Sequence, residues 1–139
     1  MNENTERAKQ LLLESESTFI LVNGDRIFTS NGKAVATLLQ LLKEDSTLLK
    51  GSYIADRVIG KAAAMMMHYG GVEEVYGHTI SEPAVAYFEK YRIPFCFGQK
   101  VPGILNREKS GLCPMEQLCL EIDHPQTAYE KIKIFLNVG

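Results

Sequence analysis

The residues best placed to do chemistry stand at what read as the starts of helices. Cys113-Pro114-Met115-Glu116 is the sharpest of these stretches. Pro114 suits a first helical position, where its missing N–H costs nothing. Glu116 then falls at the third position, able to reach back as in a capping box. Cys113 takes the cap itself, where Ser, Thr, Asp or Asn is the usual choice. A thiol at the positive end of a helix dipole is a candidate catalytic nucleophile; the plainer explanation is a small residue tolerated at a helix start. Asp56 heads a second stretch, with Lys61 in its first turns, and Ser81-Glu82 heads a third. The polar segment Asn106-Arg107-Glu108-Lys109-Ser110-Gly111 either carries Asn106 and Arg107 over a pocket or is simply a solvated loop. Free N–H groups at helix starts favour anions, whereas the carboxylates select donors such as a base or an amine. The site expected is one for a small polar molecule, nucleoside-like or anionic. Asp56, Lys61, Ser81, Glu82, Asn106 and Glu116 would bind, and Cys113 would act if sulfur chemistry occurs.

Other chemistries fail on spacing. Gly60-Lys61 resembles the end of a phosphate loop, but Ala55 stands where its first glycine belongs and Ala62 replaces the Ser or Thr. His68, His78 and His124 are isolated, and no Cys-x-x-Cys occurs. Zinc wants about four N or S ligands, or three and a water. A hard-cation site could draw on Asp56, Glu82 and Glu116, yet three carboxylates at helix starts ordinarily cap. No metal and no cofactor are expected.

The elements that would position these residues follow from periodicity and stop signals. Asp56 to Tyr69 reads as one helix, capped by Asp56, ended by Gly70-Gly71 and apolar on nearly every face, hence buried. Thr5–Glu14 is an amphipathic helix, and Thr18–Val22 and Arg26–Ser30 are strands joined by an Asn23-Gly24 turn. Ala34–Glu44 is a helix, Glu74–His78 a strand, and Ser81 caps a helix to Tyr91. Phe95–Phe97 is a strand and Val101–Asn106 an extended segment suited to a sheet edge. Helices over Pro114–Glu121 and Pro125–Asn137 complete the chain. Two antiparallel strands followed by helix–strand alternation argue for a three-layer α/β/α domain with a mixed sheet of about four or five strands.

The 139 residues suit a single domain over 1–139, with 45% apolar and 23% charged residues. The formal charge of −2, mixed along the chain, excludes a nucleic-acid footprint, and no apolar run is long enough for a membrane span. Three cysteines and no signal peptide point to reduced thiols in the cytoplasm.

Taken together, Ala55–Ala64, Ile80-Ser81-Glu82, Ile104-Leu105-Asn106-Arg107 and Gly111–Glu116 resemble a small, functionally uncharacterised prokaryotic family with a fold similar to that of cytidine deaminases. The resemblance runs from about Thr18 to Glu121 and implies a mixed sheet flanked by helices. Cytidine deaminases carry His-x-Glu at one central helix start and Pro-Cys-x-x-Cys at the next, with zinc between them. Here Ala55-Asp56-Arg57 and Ile80-Ser81-Glu82-Pro83 take those places. Without those ligands the deaminase reaction is not carried over. The alternatives are a protein acting through self-association as a homo-oligomer or through a partner, and a thiol-dependent enzyme using Cys113.

Overall fold

A computed structural model describes residues 1–137. Its centre is a five-stranded sheet in the order β2-β1-β3-β4-β5. β1 (Phe19–Asn23) and β2 (Arg26–Ser30) form an antiparallel hairpin. β1 also pairs antiparallel with β3 (Tyr53–Ile59), and β3, β4 (Glu74–Ser81) and β5 (Phe95–Val101) run parallel. The mixed α/β architecture expected from the sequence is therefore present. The hairpin turn lies one residue later than expected: Asn23 pairs with Arg26, and the two central residues are Gly24 and Asp25. Positive φ falls on Gly24 (+61°), which only glycine adopts cheaply.

The first strand divides its side chains between the two faces. Phe19 and Leu21 join a large core that includes Ile54 of β3, while Ile20 and Val22 join a small one with Ala55 and Tyr76. The small core is closed by Ala8 and Leu12 of α1 (Glu3–Glu14). The large core is closed by α2 (Ala34–Glu44), α3 (Ser46–Leu49), α4 (Lys61–Gly70), α5 (Glu82–Lys90), α6 (Pro114–Cys119) and α7 (Pro125–Phe135). α4 packs against α2, α5, α6 and α7, and every residue from Lys61 to Met67 is buried. Gly71 ends it in the left-handed conformation, φ +81°.

Two sequence expectations are corrected. The buried helix does not begin at Asp56. Tyr53–Ile59 is a strand, Gly60 is the helix N-cap, and Asp56 lies mid-strand opposite Phe19 and Gly77. Pairing on both sides, with β1 and β4, outweighs whatever local capping Asp56 could supply. Val101–Asn106 is no strand of its own. Val101 closes β5, and the chain then turns into a loop that carries one isolated β-bridge, between Leu105 and Leu112. No helix among the described residues is long and apolar enough to cross a membrane.

Candidate functional site

The starts of α4 and α5 do come together, and Glu116 joins them. Its Oε1 accepts from the Lys61 amide at 2.7 Å and from the Ser81 hydroxyl at 3.2 Å. Its Oε2 accepts from the Ile104 amide at 2.7 Å. Glu116 thus reaches across the fold and does not cap its own helix as its spacing suggested. A carboxylate at a helix start satisfies an N–H that has no intrahelical partner and complements the dipole. Gly60 makes room for it: a Cβ there would lie 3.2 Å from both Glu116 Oε1 and Ile104 Cγ1. Ser81 in turn accepts from the Ala84 amide at 3.2 Å, capping α5 as expected.

Lys61 is buried and does not reach into solvent as an amphipathic lysine would. Its ammonium donates to the Leu120 carbonyl at 2.9 Å and to Asp123 at 3.2 Å. Lys61 and Lys90 beside Asp123 hold that carboxyl below its ordinary range. Glu82 is exposed and stands outside the cluster. Asp56, Glu82 and Glu116 therefore do not converge, and among the described residues no three of His, Cys, Asp and Glu are grouped to hold a metal ion.

Beside Glu116 opens a cleft of about 880 Å³. Its walls are the segment 31–36, the end of β3, the first turn of α4, the loop 104–108, the start of α6 and Phe135-Leu136. Of the residues the sequence singled out, Asp56, Asn106, Arg107, Cys113 and Glu116 line it, whereas Lys61, Ser81 and Glu82 do not. Asp56 is 3% exposed. Its Oδ1 accepts from the Val58 amide at 3.2 Å, and its Oδ2 has no partner. Burial, only partly offset by the Val58 and Arg57 amides, pushes its pKa up to about 7. The neighbouring Arg57 offers no relief, because its guanidinium donates to the carbonyls of Leu12, Ser15 and Ser17 on the opposite face.

Cys113 is the N-cap of α6, as its spacing indicated, but its side chain makes no capping bond. Its amide donates to the Ile104 carbonyl at 2.7 Å, pinning the loop at its base. Burial pushes the other two thiols up, Cys119 to about 11. Asn106 turns its side chain inward on the loop, meeting the Ser110 amide and hydroxyl at 3.1 and 3.2 Å. The sequence reading missed the apolar rim of the cleft. Val58, Leu105, Phe135 and Leu136 are all exposed there. The available signal was the run Ile134-Phe135-Leu136, too apolar for a terminal turn facing only water.

A family model described as a domain of unknown function (DUF1893) matches residues 7–136. No curated protein matches. Among solved structures, a DUF1893 family protein from Thermotoga maritima, determined by crystallography at 2.70 Å, is similar with a TM-score of 0.85 and 25% identity. The match covers 95% of this chain and 89% of that one.

Proposed function

The chain belongs to the DUF1893 family, and we propose that it is a small-molecule-binding protein whose ligand occupies the Asp56 cleft. The observation that carries this reading is Asp56 Oδ2, a buried carboxyl oxygen lining a cleft and lacking any partner. Buried polar atoms are nearly always bonded, so an orphan in a cleft invites a ligand donor. The volume lies within the range of about 300–1,000 Å³ typical of ligand pockets, and apolar walls with few polar groups are their usual character.

The same reading extends to the fold's ancestry. The sheet order, the two adjoining helix starts and the loop folded over them suit a cytidine-deaminase-like domain. In that frame Glu116 takes up the helix-end groups between which the deaminases hold zinc, and the chemistry has moved to the cleft alongside. Asp56, Asn106 and Glu116 remain site residues in this reading; Lys61, Ser81 and Glu82 become its support.

Fragment screening by amide chemical shifts tests the proposal. Binders should perturb Asp56–Ala63 and Leu105, and Asp56→Asn should weaken them. Hits scattered over other surfaces, or a cleft silent to every fragment, would sink it. A second reading, catalysis through sulfur, has in its favour that Cys113 lines the same cleft half-buried. Alkylation against pH decides it: a Cys113 that titrates below about pH 6 favours catalysis, and one inert until unfolding removes it.

A further inference from the structure

The charges around the cleft restrict what its ligand can carry. Two buried carboxyl groups, Asp56 and Glu116, line it. Two cations of the β3–α4 segment are committed elsewhere: half-buried Arg57 to three carbonyls on the far face, and buried Lys61 to Leu120 and Asp123. The remaining cationic side chains of the lining, Lys33 and Arg107, are exposed at its rim, where solvent screens them. At the start of α4, which faces the cleft, Glu116 occupies the Lys61 amide and sets a carboxyl where an anion would approach. An anionic head would meet two carboxyl groups there and no free buried cation.

Beyond the head, the cleft is greasy. Val58, Leu105, Phe135 and Leu136 are 45%, 52%, 52% and 38% exposed, and all four line it. Apolar surface gathered at one cleft is a binding feature, whereas the same residues scattered singly would be unremarkable.

We infer that the ligand is an organic cation: an amine or amidine head donating to Asp56 Oδ2, carried on an apolar body that lies against Val58, Leu105, Phe135 and Leu136. This rests on the cleft being a ligand site. The head's N–H groups complete the bonding of a carboxyl the protein leaves unfinished. Its charge is matched by the interior's negative balance, and the body removes the rim's apolar surface from water.

The test is a titration of matched probes into the full chain at pH 8.5, where Asp56 has released its proton, read by amide shifts and by thermal stability. Hexylamine and benzamidine supply cationic heads; hexanol and benzamide are neutral, and hexanoate and benzoate anionic. The cations should bind at least tenfold more tightly than their neutral and anionic counterparts. Asp56→Asn should remove that preference, since a charge-assisted bond commonly contributes tenfold or more (on the order of 1.4 kcal/mol). Lengthening the alkylamine should tighten binding about fourfold per methylene until the cleft is full. Leu105→Ala, at an exposed loop position, should blunt that chain-length gain without disturbing the fold. If neutral or anionic probes bind the cleft as well as the cations do, the inference falls while the ligand site stands. If no probe perturbs the cleft, or a second copy of the chain proves to occupy it, both fall.

Discussion

Asp56 is buried in the cleft wall with one carboxyl oxygen unpartnered, at a cost in stability that pH should reveal. The folded carboxyl holds its proton up to about pH 7, whereas the unfolded one releases it near its ordinary 3.8. Between those values the native state binds more protons than the unfolded state. Stability therefore falls as pH rises through that window, the reverse of the usual paired carboxylate. The interval is about three pH units, and each is about 1.4 kcal/mol, so the full penalty is roughly 4 kcal/mol at most. Asp56→Asn keeps an acceptor for the Val58 amide and cannot ionise. It should match the wild type near pH 4 and exceed it by up to a few kcal/mol near pH 8.5, read as urea midpoints. A pH-independent difference between the two proteins would mean that Asp56 ionises freely. Glu116, unlike Asp56, has a partner on both of its oxygens. Glu116→Gln turns one acceptor into a donor facing an N–H, and should cost roughly 1–3 kcal/mol in the same measurement. Neither role was legible from local spacing. Pro114 two residues before Glu116 made a capping box the natural reading, and nothing near it in sequence announces a partner fifty-five residues away.

At the scale of elements, the sequence revealed most of the ladder and misread its middle strand. α2, α5 and the β1–β2 hairpin fall within a few residues of expectation, because their stripes, caps and turn glycine are local signals. Tyr53–Ile59 was misread because Asp56 imitates an N-cap and apolar residues flank Gly60-Lys61 on both sides, from Val58-Ile59 into α4. The signals for a strand were there in Tyr53, Val58 and Ile59, β-favouring types, and in Gly60 as a punctuation mark. What decides the outcome is pairing to β1 and β4, which no local window contains. α4 itself was legible as the buried helix, and its C-terminal end offers a test of how tightly it packs. Gly70 is helical, so alanine there should gain about 1 kcal/mol from propensity alone. The added Cβ, however, would lie 2.2 Å from Leu49 Cδ2, and Leu49 is itself fully buried. Overpacking of this kind costs about 1–3 kcal/mol, so Gly70→Ala should destabilise on balance. Leu49→Ala alone should cost about 2–5 kcal/mol by leaving a cavity. The double variant should be clearly less damaged than the sum of the two, since each relieves the other's fault. Strict additivity in denaturant midpoints would place the clash elsewhere.

The whole molecule is two cores of unequal size sharing one sheet, and the smaller should open first. Six elements cover the large core, and α4 is packed on several sides. A single helix, α1, covers the small one, through Ala8 and Leu12 against Ile20, Val22, Ala55 and Tyr76. Its C-terminal end is tied down chiefly by Arg57, whose guanidinium donates to Leu12 at 2.8 Å, Ser15 at 2.7 Å and Ser17 at 2.9 Å. An element with one docking face, held at its ends by this clasp and by the Asn2 amide donating to Glu74 at 2.8 Å, is a natural unit of partial unfolding. Native-state amide exchange should then find two levels. Amides of β1, β3 and α4 should exchange only through global unfolding, while those of α1 exchange through a cheaper opening. Arg57→Ala removes the clasp and takes a partner from the carbonyls of Leu12, Ser15 and Ser17, of which Leu12 keeps the Ser15 amide, at a cost of roughly 1–3 kcal/mol. Part of that loss should appear as a lowered opening free energy across Ala8–Leu12, with the gap between the two levels widened. The cleft lies beyond the opposite face from α1, so a ligand bound at Asp56 should raise the global level and leave the α1 opening nearly unchanged. If α1 and α4 exchange at one common free energy, with and without the clasp, the two cores form one cooperative unit and this division of the molecule is wrong.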